Sequence, residues 1–157
     1  MEQRTSPGSL PLTPYSPLPA PHSKREQQPA KREYRWPGKK ILLVEDDEAN
    51  MLCLQVLLDQ TQTEIVTAVN GKGVRAYYGF LDSFDLILLD VRLPDASGWN
   101  LAREIKAIRP EIAVIAQTAF AMSADRQKSI KAGCDDYISK PIRGAHLLEM
   151  LAKYLGP

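Results

Sequence analysis

Ile41-Leu42-Leu43-Val44-Glu45-Asp46-Asp47 is the stretch whose reading decides the fold. Four apolar residues without interruption suit a strand covered on both faces, as parallel strands are in α/β proteins. The same pattern returns three times. Leu86-Ile87-Leu88-Leu89 ends in Asp90, Ile112-Ala113-Val114-Ile115-Ala116 ends near Thr118, and the pair Tyr137-Ile138 ends near Lys140-Pro141. Parallel strands bring their C-terminal ends to one edge of a sheet, where open α/β folds bind ligands. An acidic cluster, a lone Asp, a hydroxyl and a lysine are therefore expected on that edge.

Segments of helical period separate the strands. Residues 50–60 carry Met51, Leu54, Leu57 and Leu58 on one face. Residues 72–81 follow the Asn70-Gly71 turn signal. Residues 98–108 carry Leu101, Ile105 and Ile108, and Pro110 closes that helix. A more polar segment, 123–131, stops at Gly133. Residues 143–155 carry Leu147, Leu148, Leu151, Tyr154 and Leu155 as a stripe. Residues 65–69 supply a fifth strand. The alternation predicts an α/β chain, flavodoxin-like and doubly wound as (βα)5. Right-handed crossovers favour the parallel strand order 2-1-3-4-5, with its switch point between the first and third strands.

Composition divides the chain. Eight of its twelve prolines fall in residues 1–38, where large aliphatic residues are sparse. Such a segment buries too little apolar surface to offset its ordering entropy. It reads as a disordered, mildly basic linker, with six Lys/Arg against three Asp/Glu. Residues 39–157 carry fourteen against sixteen and have the length of an ordinary domain. An overall charge of +1 argues neither for nor against nucleic acid, and no nucleic-acid partner is expected. Cys53 and Cys134 make no C-x-x-C and no disulfide framework, which fits a reducing, cytoplasmic setting. No apolar run approaches membrane-spanning length, and no signal peptide is evident. His22 and His146 have no ligand partner at metal-binding spacing, and Trp36 and Trp99 read as packing residues.

The chemistry follows from the strand ends. Glu45, Asp46 and Asp90 brought together raise one another's pKa or demand a cation. Hard oxygen ligands with open positions suit Mg²⁺, here held by Asp46 and Asp90. Asp90 then qualifies as a nucleophile toward phosphorus, since an ionised carboxylate needs no base. Lys140 would neutralise one phosphoryl oxygen and the Thr118 hydroxyl would donate to another. Asp46 and Asp47 also suit the cap of the following helix.

In this order and spacing, Glu45-Asp46, Asp90-Val-Arg-Leu-Pro-Asp-Ala-Ser-Gly, Thr118-Ala119 and Tyr137-Ile-Ser-Lys140-Pro141 resemble the receiver domain of two-component response regulators. The resemblance covers roughly residues 40–155, essentially the whole domain. The stretches from Ala116 and from Gly133 look most like receivers of hybrid sensor histidine kinases. The resemblance implies that Asp90 accepts a phosphoryl group from phosphohistidine on a histidine kinase or histidine phosphotransfer domain. It implies that Asp46 binds Mg²⁺ directly, Glu45 through water, and Arg92 through its backbone carbonyl. Asp47 is not expected as a ligand. Thr118 and Lys140 would contact the phosphoryl group, Tyr137 would be the aromatic switch, and the Lys140-Pro141 bond would be cis. The face built from the last two helices and the fifth strand would repack and could pair two copies. Such a domain promotes its own phosphorylation and dephosphorylation without being an enzyme in the ordinary sense.

Three alternatives stay open at this stage. The chain could be the C-terminal receiver of a hybrid kinase. It could be a phosphohydrolase with an Asp nucleophile, although enzymes resembling the haloacid dehalogenase family place a second Asp where Arg92 stands. It could also be a docking module indifferent to phosphorylation.

Overall fold

Five parallel strands form one sheet in the order β2-β1-β3-β4-β5. They are β1 (Lys40–Val44), β2 (Glu64–Ala68), β3 (Leu86–Asp90), β4 (Ala113–Thr118) and β5 (Asp136–Ser139). The helices are α1 (Glu48–Asp59), α2 (Gly71–Arg75), α3 (Gly98–Ile108), α4 (Ser123–Lys131) and α5 (Gly144–Leu155). This computed structural model describes residues 33–119 and 123–157. Most of the expected linker, 1–32, lies outside the described residues.

Strand alternation divides the core into two layers. Ile41, Leu43, Leu86, Leu88 and Ile115 pack with Met51, Leu54 and Leu58 of α1 and Leu147, Met150 and Leu151 of α5. Leu42, Val44, Ile87, Leu89 and Val114 pack with Val74 of α2 and Leu101, Ala102 and Ile105 of α3. The uninterrupted apolar runs are thus shared between opposite faces. β2 is only partly buried, as its place at the edge of the sheet requires.

The elements depart from expectation in four places. α1 begins at Glu48, because Asp47 caps it by accepting from the Asn50 amide at 2.8 Å. The segment 72–81 is not one helix. It breaks after Arg75 and resumes as a 3₁₀ turn, Tyr78–Ser83, with Phe80 at φ −127°. Gly73 and Gly79 weaken helical continuity here. Ile108 is exposed, and Ala102 takes its place in the buried stripe of α3. β4 runs two residues further than its apolar core, so that Thr118 belongs to the strand.

The packed chain also begins earlier than the expected boundary between residues 38 and 39. Trp36 is buried in the α1/α5 layer. Its amide donates to the Thr61 carbonyl at 2.7 Å, and its indole Nε1 donates to the Gly156 carbonyl at 2.7 Å. Trp36→Ala is expected to cost about 3–5 kcal/mol by urea unfolding, the usual loss for a buried aromatic. Trp36→Phe, which keeps an aromatic ring but loses the indole donor and part of the volume, should cost less, about 1–3 kcal/mol.

Candidate functional site

Alternation decides which side chains meet at the C-terminal edge of the sheet. Leu43, Leu88, Ile115 and Ile138 face the α1/α5 layer. Two residues further along each strand come Glu45, Asp90, Gln117 and Lys140, which continue the same face. Thr118 and Tyr137 have the other parity and stand on the opposite face. Ala116 pairs with Tyr137 and Thr118 with Ser139, so Thr118 and Tyr137 sit diagonally on neighbouring strands.

Lys140 is the hub. Its Nζ lies 2.7 Å from Glu45 Oε2 and 2.7 Å from Asp90 Oδ2. Both carboxylates are buried, whereas Asp46 is exposed. One oxygen from each of Glu45, Asp46 and Asp90 lies within 4.8 Å of the others. That spacing and an all-oxygen donor set fit a small hard cation. Glu45 has both oxygens engaged: Oε2 by Lys140 and Oε1 by the Asp47 amide at 3.3 Å. Asp90 Oδ1 accepts from the Arg92 amide at 2.9 Å, fixing the carboxylate at the strand end.

The electrostatics are asymmetric. Burial pushes the Glu45 carboxyl above its ordinary range; the Lys140 hydrogen bond and charge pull it back only in part, and the Asp90 charge adds to the rise. Burial opposes the Lys140 ammonium, but its hydrogen bonds to Asp90 and Glu45 outweigh that and raise its pKa. The lysine is held charged while one of its acids is strained toward neutrality.

The loop after β3 is fixed on both sides. The Gly98 amide donates to the Val91 carbonyl at 2.9 Å, and a Cβ at Gly98 would collide with the Asp90 carbonyl oxygen. A glycine is therefore required where α3 begins directly beneath Asp90. Asp95 accepts from the Gly71 and Lys72 amides at 2.6 and 2.9 Å, tying this loop to the start of α2. On the other side, between α1 and the loop after β5, lies a cavity of about 510 Å³ lined by Leu54, Leu57, Gln117, Lys140, Pro141 and Ile142.

Each residue expected at the site is on this edge. The Lys140-Pro141 bond is cis. The Arg92 side chain is exposed and Tyr137 is half-buried. Thr118 Oγ1 donates to Asp125 Oδ2 of α4 at 2.9 Å. Asp47 serves as a cap. His146 is exposed, while Trp36 and Trp99 both pack against the core.

Residues 41–152 match the response regulator receiver domain. The chain belongs to that family. This receiver is 36% identical over 126 residues to the polar-differentiation response regulator DivK of Brucella anthropi, covering 75% of this chain and 97% of that protein. It is 33% identical over 142 residues to hybrid signal transduction histidine kinase L of Dictyostelium discoideum, covering 84% of this chain but 8% of the kinase. A solved receiver domain of sensor histidine kinase PA1611 from Pseudomonas aeruginosa PAO1, with a magnesium ion in its active-site cleft, is 33% identical. It superposes with a TM-score of 0.68 over 76% of this chain and 99% of that one. The chain is thus a signalling domain of two-component phosphorelays.

Two residues of this edge escaped the sequence reading. Gln117 hides in an apolar strand, yet its amide donates to the Val44 carbonyl at 3.3 Å. Among the described residues its buried Oε1 has no partner. Asp125 reads as an ordinary acid in a first helical turn; only its distance to Thr118 reveals more.

The raised Glu45 carboxyl sets a pH dependence. A carboxyl with a raised folded-state pKa contributes stability below its unfolded value and loses it as pH rises through the folded value. Without divalent cation, Glu45→Gln should therefore gain stability relative to the parent as pH climbs from about 4.3, the ordinary Glu value. Urea unfolding in EDTA between acid and neutral pH measures this, and a variant whose stability relative to the parent falls as pH rises would contradict it.

Proposed function

We propose that this receiver takes a phosphoryl group from phosphohistidine on a partner protein onto Asp90. The observation that carries the reading is the Lys140 ammonium, 2.7 Å from Asp90 Oδ2 and beside the Glu45–Asp46 cluster. An oxygen of the Asp90 carboxylate attacks phosphorus as the nitrogen–phosphorus bond breaks. The imidazole leaves with that electron pair and takes a proton from solvent, and Asp90 becomes an acyl phosphate. Little covalent work falls to the protein. Its task is positioning and charge neutralisation.

Asp46 and Asp90 would hold Mg²⁺ directly, together with the Arg92 backbone carbonyl. Glu45 would act through water, in keeping with its two engaged oxygens. When bound, Mg²⁺ supplies compensation of charge on the phosphoryl oxygens. Lys140 does the same from the β5 side, and the Thr118 hydroxyl donates to a third position. Tyr137, on the face of Thr118, follows that hydroxyl inward, and the α4–β5–α5 face repacks. Exposed Ile130 on α4 makes that face a candidate for pairing two copies. Exposed Leu52 and Val56 on α1 offer an apolar landing for the phosphohistidine-bearing partner, a histidine kinase or a histidine phosphotransfer domain. A cytoplasmic setting suits such a partner, and no described helix is long and apolar enough to cross a membrane.

Incubation with radiolabelled acetyl phosphate should label the chain in Mg²⁺ and not in EDTA. Asp90→Asn should reduce labelling to background, and labelling that persists would remove Asp90 as the acceptor. Separately, millimolar Mg²⁺ should raise the thermal midpoint of the parent, because binding to the folded state alone stabilises it. Asp46→Ala should abolish that rise, as followed by circular dichroism.

A further inference from the structure

The Thr118 hydroxyl carries one proton to donate. In this structure that proton points to Asp125 Oδ2, 2.9 Å away in the first turn of α4. The Asp125 side chain is only 17% exposed, and the Lys128 ammonium lies 3.9 Å from its other oxygen, Oδ1. A hydroxyl that donates to Asp125 cannot donate to a phosphoryl oxygen on Asp90.

We propose that Asp125 is the resting-state acceptor for Thr118, a positioning residue whose carboxylate must be given up before the hydroxyl can reach the phosphoryl group. The inference rests on the phosphoacceptor reading and adds a regulatory contact to it. Two acceptors of the same sign compete for one proton. The phosphoryl group gains the advantage because it brings more negative charge and more acceptor oxygens than a single carboxylate. Exchange moves Thr118 away from α4 and releases a contact that fastens the start of that helix to β4. The same helix is held to its own backbone by Ser129 Oγ, which donates to the Asp125 carbonyl at 3.0 Å. Asp125 therefore couples the occupant of Asp90 to the position of α4 through one hydrogen-bond partner change. In a two-state switch, a bond made only at rest lowers the apparent affinity for whatever selects the other state.

The test uses the full chain with Mg²⁺ and beryllofluoride, a non-reacting mimic of the phosphoryl group, and reads the concentration for half-saturation by tryptophan fluorescence or amide NMR. Asp125→Ala should tighten binding by about three- to tenfold, the range left when water partly replaces a bond to a charged acceptor. Asp125→Asn, which keeps the shape but weakens the acceptor, should fall between. In a Thr118→Ala background, Asp125→Ala should change nothing, since the competing proton is gone. An Asp125→Ala change that persists in the Thr118→Ala background would show that Asp125 acts through helix stability and would overturn the latch. Unchanged or weaker binding by Asp125→Ala, with the parent binding normally, would also overturn it. If the parent itself binds no beryllofluoride and takes no label at Asp90, the phosphoacceptor reading falls first and the latch with it.

Discussion

Everything at the working edge of this domain depends on Lys140 holding Glu45 and Asp90 together. Two buried carboxylates repel each other and resist losing water, and neither belongs beside the other without a cation. The ammonium, 2.7 Å from each, is the compensating charge supplied by the chain itself. Breaking such a buried arrangement from one side typically costs about 3–5 kcal/mol. Yet the compensation is incomplete, because Glu45 remains pushed toward its neutral form. Against the one ammonium stand three clustered acids, Glu45, Asp46 and Asp90, so the carboxylates outnumber the lysine at that edge. That donor set fits a small hard cation.

Strand alternation supplies the mechanical half of the arrangement. Because every second residue faces the same way, one parity brings the acids and the lysine to the α1/α5 side. The other parity brings Thr118 and Tyr137 to the opposite side. The two sets thus stand on different faces of one sheet, one peptide unit apart at Gln117 and Thr118. Gln117 and Thr118 are adjacent in the chain, but one belongs to the cavity beside Lys140 and the other to α4.

The buried strands were the most legible part of the sequence. Uninterrupted runs such as Leu86–Leu89 have few readings other than a two-sided strand, and their polar ends meet at one edge of the sheet. Helix ends were less legible, because a cap such as Asp47 competes with its neighbours for the role and only the Asn50 contact decides. The second helix failed in the reading because its apolar spacing continued while its backbone did not. Gly73 and Gly79 permit a break that no pattern of side chains records. Trp36 packs into the core although its proline-rich surroundings read as linker, since composition averages over a window and a single indole does not move the average. Asp125 was invisible for another reason: its partner lies across a loop, and hydrogen bonds between distant residues leave no periodic trace.

The contact between Trp36 and Gly156 has a consequence for architecture. It joins the chain's point of entry into the domain to its point of departure, at the pole of the sheet away from the carboxylates. A fold whose two gates stand side by side behaves as a cassette. It can be spliced into a longer polypeptide without prising its flanks apart. The relatives illustrate both uses of such a cassette, since one is almost nothing else and another devotes a small fraction of its length to it.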